Sequence, residues 1–239
     1  MAVGLLGEVR PAAVAESQPS RNPSRLVMFG RVEVQLMYAR FTQGTIDPKK
    51  REQAEKIAKS IFTAARQQKG FNGVSFCLDP KGEAVFLSLW ESKEAMQANE
   101  ASGDYKEQVE KLKDVLTKPT TRYAGEVMAH EETQKAPKAA RLTVAAIRKD
   151  AEAQATQLAR DVARAARNEP GFIAWYGAQT EDSTTAAISF WDSTEAMKKS
   201  ESRYLKDALG KLKEISTAEA QPKLYEVVEH EIPAVAAVR

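Results

Sequence analysis

The chain has only two histidines, His130 and His230, and each is followed by a glutamate. An imidazole titrates near neutral pH, so histidine is a usual general base and a common metal ligand. The residues around both histidines predict a β-strand, in which successive side chains point to opposite faces. A single strand therefore cannot chelate a metal with both its histidine and the next glutamate. A metal site is disfavoured, and the alternatives are a catalytic pair and a pair of exposed or interface histidines.

The two histidines occupy equivalent positions because one sequence pattern occurs twice in the chain. Residues 90–96, WESKEAM, return as WDSTEAM at 191–197. Further matches follow in the same order at offsets of 100 or 101 residues, and they include the segments around both histidines. A period near 100 residues is the size of a domain and far exceeds the roughly 20–50 residues of a solenoid unit. The sequence therefore predicts two copies of one domain.

Composition argues against several classes of function. With 35 basic and 33 acidic residues, the net charge of +2 gives no electrostatic support for binding nucleic acid or a membrane surface. No signal peptide is recognisable, and no apolar stretch reaches the ~18–20 residues that span a bilayer. The single cysteine, Cys77, is typical of a reducing cytoplasm, which is the predicted location. No phosphate loop, nucleophile elbow or metal cluster is found, so no cofactor is predicted.

The spacing of apolar residues predicts the same elements in each copy. A strand is followed by a helix with apolar residues at every third or fourth position. Gly70 and Gly171 end that helix, and a hairpin of two strands follows. Ser92 and Ser193 are suited to cap a short helix, after which a longer helix and a last strand complete the copy. The order β-α-β-β-α-β, with one extra short helix, is ferredoxin-like.

The repeats and two low-complexity segments set the predicted domain boundaries. Residues 1–30 are predicted to be a flexible tail, 31–132 the first domain, 133–140 a linker and 141–239 the second domain. Helices cover only one face of each ferredoxin-like sheet, so its other face must be buried elsewhere. We therefore predict an α+β protein whose two tandem domains pack sheet to sheet as a pseudo-dimeric barrel within one chain.

The segment Trp-Glu/Asp-Ser-x-Glu-Ala-Met after the third strand, in this order of elements, resembles the antibiotic biosynthesis monooxygenase (ABM) superfamily. The resemblance covers about residues 31–132 and 141–232. Members of the superfamily are α+β barrels that usually form homodimers, so the resemblance implies that the duplication fuses two such halves. The superfamily includes oxygenases that oxidise aromatic polyketides without metal or flavin, haem-degrading enzymes, and proteins with no known activity.

The resemblance also implies candidate site residues. In the oxygenases the substrate lies between sheet and helices, against aromatic side chains that include the tryptophan ending the third strand. This implies that Trp90 and Trp191 border substrate pockets, and that Tyr105 and Tyr204 present phenol groups to the same space. The structural alternative is that all four are aromatic residues of the core.

Haem degradation is disfavoured by departures from the family pattern. The haem-degrading members use a histidine on a helix and an asparagine on the first strand. The histidine position falls near Val109 in the first copy and Ala208 in the second, and neither first strand contains asparagine.

Two functions stay open at this point. One is a cofactor-independent monooxygenase acting on an aromatic or quinol-type small molecule, whose carbanion reduces O₂. The other is a non-catalytic module that binds a small molecule or builds an assembly, including a homo-oligomer of the tandem chain. The copies differ in the hairpin, where residues 175–177, Trp-Tyr-Gly, replace residues 74–76, Val-Ser-Phe. We therefore expect unequal pockets, of which at most one is active.

Overall fold

The computed structural model describes most of the chain, namely residues 27–29, 32–34, 37–133 and 135–232. The chain divides into two units between residues 34 and 35. In the first unit, β1 (Val27–Phe29) and β2 (Val32–Val34) pair as an antiparallel hairpin. The predicted flexible tail, residues 1–30, lies outside the described residues except for β1.

The second unit contains the same set of elements twice. The first copy consists of β3 (Tyr38–Thr45), α1 (Arg51–Ala65), β4 (Phe71–Leu78), β5 (Glu83–Trp90), α2 (Lys93–Ala101), α3 (Gly103–Lys113) and β6 (Thr121–Glu132). The second copy consists of β7 (Ala139–Ala146), α4 (Glu152–Arg167), β8 (Phe172–Thr180), β9 (Thr184–Trp191), α5 (Thr194–Lys199), α6 (Tyr204–Ile215) and β10 (Lys223–Glu231). Short 3-10 turns precede α1, α4 and α6. None of the described helices is both long and apolar enough to cross a membrane.

The eight strands of the two copies form one closed antiparallel barrel, in the order β10-β4-β5-β3-β6-β8-β9-β7. Within each copy the strands follow the ferredoxin-like order, with the last strand beside the first and the third beside the second. The copies meet at two seams, where β6 pairs with β8 and β10 pairs with β4. The predicted tandem α+β barrel is confirmed. The structure adds that hydrogen bonds close it at both edges.

Two apolar layers hold the barrel and its helices together. One layer fills the barrel interior and includes Phe41, Leu87 and Phe190. The other lies between the outer face of the barrel and the helices, where Phe62 is buried in the first copy. Successive side chains of a strand alternate between these layers. Cys77 lies in the interior layer, where burial raises the pKa of its thiol to about 12.

The first strand of each copy begins at a different residue from the one predicted. The strand predicted at 32–41 begins at Tyr38 instead, and residues 32–34 belong to the separate hairpin. The strand predicted at 142–148 begins at Ala139, two residues inside the predicted linker. Ala139 pairs with Trp191 and is fully buried, which places this alanine-rich segment in the sheet.

The first domain is expected to be unstable by itself. A fragment of residues 31–132 would leave β4 and β6 without their seam partners and would expose the interior layer. We expect this fragment to self-associate, or to bind more hydrophobic dye than the full chain, because its interior layer is uncovered. Light scattering and dye fluorescence measure both properties. A well-folded monomeric fragment that binds no more dye than the full chain would contradict the closed-barrel account.

Candidate ligand-binding site

Each copy contains a cavity between its helices and the outer face of its sheet. The cavity of the first copy has a volume of about 580 Å³, and that of the second copy about 80 Å³. Val74 lines the first cavity, whereas Trp175 occupies the equivalent position in the second. An indole is much larger than an isopropyl group, so Trp175 fills space that stays open in the first copy. The two cavities are unequal, as the sequence difference predicts.

The large cavity is a cleft that runs along α3. Tyr105 in the first turn of this helix and Lys113 at its end both line the cleft. At the ~1.5 Å rise of an α-helix, these two residues are separated by roughly 12 Å along the axis. Apolar side chains line the middle of the cleft, with Ile61 from α1, Phe86 from β5 and Leu112 from α3. Its size falls in the range of roughly 300–1,000 Å³ that is usual for small-molecule sites.

A buried arginine lies at the Tyr105 end of the cleft. Arg40 on β3 is 8% exposed and donates hydrogen bonds to Glu100 Oε1 at 3.0 Å and Asn99 Oδ1 at 3.2 Å. Its guanidinium also lies over two aromatic rings, 4.7 Å from the ring centre of Tyr105 and 5.6 Å from that of Trp90. Burial lowers the pKa of Arg40, while Tyr105 and Glu100 favour the charged form. Because an arginine pKa lies so far above neutrality, the group remains a cation.

Trp90 is held firmly in the wall of the same cleft. Its side chain is fully buried, and its Nε1 donates a hydrogen bond to Ser88 Oγ at 3.0 Å. The Phe71 ring meets the indole edge-on, with 5.6 Å between the ring centres. The structure thus brings Trp90 and Tyr105 together at one end of the large cavity, around Arg40.

Comparison with known proteins shows what the first copy resembles. Residues 37–111 match the sequence model of the antibiotic biosynthesis monooxygenase family. The first copy is similar to an ABM domain. No curated protein is similar enough in sequence to count as a relative.

Solved structures extend the likeness in fold to both copies. A candidate monooxygenase from Fusobacterium nucleatum superposes with a TM-score of 0.68 at 11% identity, covering 84% of this chain and 96% of its own. An anthrone oxidase-like protein gives a TM-score of 0.66 at 16% identity, covering 87% and 98%. A candidate monooxygenase from Lactobacillus acidophilus gives 0.64 at 11%, covering 81% and 95%. At these identities the likeness shows the fold alone.

The second copy repeats the buried arginine of the first copy in a more enclosed setting. Arg141 is 2% exposed and donates hydrogen bonds to Ser200 Oγ at 3.2 Å and to the backbone carbonyl of Met197. It also forms an ion pair with Glu201 at 3.3 Å, so one carboxylate balances the charge of one guanidinium. The partners hold this side chain against the helix end and leave little space beside it.

The aromatic residues of the second copy also pack differently from those of the first copy. Tyr204 stacks on Trp191 with 6.1 Å between the ring centres, whereas Tyr105 lies against Arg40. Tyr105 follows Met96 of the preceding short helix by nine residues, whereas Tyr204 follows Met197 by seven. Tyr204 lines the small cavity, but Trp191 lines neither cavity. Of the four predicted substrate-binding residues, only Trp90 and Tyr105 share the large one.

Both histidines lie toward the barrel interior, apart from the two cavities. The ring of His130 stacks with Tyr176 at 6.4 Å, and the ring of His230 meets Phe190 edge-on at 4.9 Å. Burial lowers the pKa of His230 to about 4, so this imidazole is neutral at pH 7. Neither histidine is among the residues that line the cavities. A catalytic role for them stays a prediction, one that the geometry does not link to the large cleft.

The described residues offer little for a metal or a haem. They contain no group of three or more His, Cys, Asp or Glu side chains placed to bind a metal. Val109 lines the large cavity and Ala208 the small one, so the positions where haem-degrading relatives carry histidine are apolar here.

Sequence reasoning missed the buried arginines. Arg40 and Arg141 recur at an offset of 101 residues, and so do their partners Glu100 and Glu201. Each arginine is the only charged residue of its strand. An unpaired charge is costly to bury, so a charged residue at the same place in two otherwise uncharged strands indicates a built polar site. That signal was available in the sequence alone.

Proposed function

We propose that the cleft of the first copy binds an aromatic or quinol-type small molecule, and that the protein oxidises this molecule with O₂ without a cofactor. The observation that carries the proposal is the cavity of about 580 Å³, bordered by Trp90 and Tyr105, with the guanidinium of Arg40 at its inner end. Aromatic side chains suit a flat ring system, and a fixed buried cation suits an oxygen that becomes negatively charged.

The chemistry follows from a substrate with a CH₂ group between aromatic rings and conjugated to a carbonyl. Loss of a proton gives a carbanion whose charge is shared with the carbonyl oxygen, which Arg40 would stabilise. The carbanion gives one electron to O₂, and the two radicals combine into a hydroperoxide at that carbon. Loss of water then leaves a new carbonyl group. One oxygen atom stays in the product and the other leaves in water with both hydrogens, so no external reductant is required.

The identity of the proton acceptor limits the substrate class. No carboxylate or imidazole occurs among the described residues that line the cleft. We therefore assign the first proton transfer to water at the open end of the cleft, where Lys113 and Lys118 lie. Without a strong base on the wall, the substrate must itself be acidic enough to lose a proton to water, as anthrones and quinols with electron-withdrawing groups are.

Oxygen uptake with a panel of anthrones and quinols tests this proposal. We expect the full chain to consume one O₂ per product, and labelled O₂ to place a single heavy oxygen atom in the product formed from each anthrone. The Val74→Trp variant, which fills the cleft with the residue found in the second copy, is the matched control and should react at the uncatalysed rate. Uptake no faster than the uncatalysed rate with every substrate would overturn the proposed oxidation.

A non-catalytic binding module is the second candidate, favoured by the same lack of a base among the described lining residues. In that case the aromatic compounds would bind to the wild-type chain and not to Val74→Trp, while oxygen uptake would stay at the uncatalysed rate.

A further inference from the structure

We propose that the cleft of the first copy selects aromatic ligands that carry a negative charge, such as a carboxylate, a sulfonate or an ionised phenol. The inference rests on the ligand site proposed above and adds the charge of its ligand. It holds whether the bound molecule is oxidised or only bound.

The first observation is a surplus of positive charge at the inner end of the cleft. Two guanidinium groups share the single carboxylate of Glu100, namely those of Arg40 and Arg122. The cluster of these three side chains therefore has a net charge of +1. Arg40 uses two hydrogen bonds on Glu100 and Asn99, and a guanidinium has five N–H donors. Donors thus remain for a ligand in the cleft that Arg40 lines.

The second observation is the sign of the charges along the cleft wall. Among the described residues, the charged side chains that line it are Arg40, Lys113 and Lys118, and none is acidic. Lys113 has a surface partner in Glu110 at 2.5 Å, so its charge is partly balanced at the rim. A cleft bordered by charges of one sign concentrates ligands of the opposite sign.

The second copy provides an internal comparison, since it keeps the arginine but lacks the surplus. Arg141 and Glu201 pair one to one. Strand register places Pro222 where the first copy has Arg122, because Lys223 pairs with Leu142 as Tyr123 pairs with Phe41. The extra cation therefore occurs only beside the large cavity. A purely structural role for the buried arginine would not require it, because the second copy is built without it.

A matched pair of fluorescent probes tests the inference on the full chain. 8-Anilinonaphthalene-1-sulfonate and N-phenyl-1-naphthylamine share one ring skeleton and differ by the sulfonate. We expect the sulfonate to bind about tenfold more tightly, because a charge-assisted contact replaces a neutral one, and this preference should shrink at high salt. Binding of both probes should be lost in Val74→Trp, which shows that they occupy the cleft.

Variants of the charged cluster then change the affinity for one probe in opposite directions. Arg122→Gln leaves the cluster neutral and should weaken binding of the sulfonate about two- to fivefold, as for a partly exposed charge. Glu100→Gln raises the net positive charge of the cluster and should strengthen binding of the sulfonate. Neither change should alter binding of the neutral probe. Glu201→Gln in the second copy is the matched control and should leave the binding of both probes unchanged.

Two results would overturn the inference, and they are distinguishable. Equal binding of both probes, lost in Val74→Trp but insensitive to Arg122→Gln and Glu100→Gln, would keep the ligand site and reject its selection for anions. Absence of binding in the cleft, or binding that persists in Val74→Trp, would reject the ligand site itself and the inference with it.

Discussion

Val74→Trp is expected to abolish ligand binding in the first copy, and Trp175→Val is expected to open a second binding cavity. The two positions are equivalent, and the volumes beside them are about 580 Å³ and 80 Å³. The indole introduced by Val74→Trp would have room to enter the cleft, so its cost should stay at or below the ~1–3 kcal/mol of overpacking. Trp175→Val should cost roughly 2–4 kcal/mol, since it removes buried atoms and leaves a cavity.

Calorimetric titration with a neutral aromatic ligand measures both effects. We expect one binding site per chain in the wild type, none in Val74→Trp and two in Trp175→Val. The double variant, which exchanges the two side chains and keeps the composition, should move the single site to the second copy. Wild-type binding in Val74→Trp would show that the ligand lies elsewhere.

Gly125→Ala is expected to destabilise the seam between the copies strongly. Gly125 lies on β6 opposite Thr180 of β8, and a Cβ added there would lie 1.8 Å from the backbone oxygen of Gln179. Backbone cannot move aside as a side chain can, so one seam of the barrel must open or shift. We expect a cost of at least about 2 kcal/mol, which corresponds to a melting temperature lower by roughly 4–8 °C.

Gly210→Ala is the matched control for this change. Gly210 is exposed on α6, and a Cβ added there would meet nothing within 4 Å. Alanine in a helix interior is more favourable than glycine, so this variant should gain about 0.5–1 kcal/mol. Thermal unfolding followed by circular dichroism compares the two variants, which should shift in opposite directions. An unchanged melting temperature in Gly125→Ala would contradict the seam seen in the structure.

The order of elements could be predicted because each copy carries its own periodicity, turns and caps, and because the second copy repeats them. The two seams could not be predicted in the same way. Periodicity shows which strands are apolar on a given face, but not which strand of one copy pairs with which strand of the other. The pairing of β6 with β8 depends on contacts between residues about 50 positions apart.

Strand alternation correctly separated each histidine from the glutamate after it. Glu131 points outward and pairs with Arg167 of α4, and Glu231 pairs with Arg66 of α1 in the same way. The histidines therefore face inward. Alternation alone does not say which face carries the helices, so the sequence could not show that the histidines lie on the side away from the cavities.

The candidate site was predictable in part. The tryptophan that ends the third strand of the first copy borders the cleft, and the contrast between residues 74–76 and 175–177 predicts that the two pockets are unequal. Arg40 was missed because the partner of this charged residue was not identified from the sequence. That partner, Glu100, lies on a helix 60 residues away, and only the fold brings the two together.

The most direct test of the account is the position of an anionic aromatic ligand in a crystal structure of the full chain, for example with anthracene-9-carboxylate. The account predicts that the rings lie between α3 and the sheet of the first copy, against Trp90 and Tyr105. A carboxylate oxygen should lie within about 3.2 Å of an Arg40 guanidinium nitrogen. A ligand in the barrel interior beside His130 and His230, or only in the second copy, would contradict it.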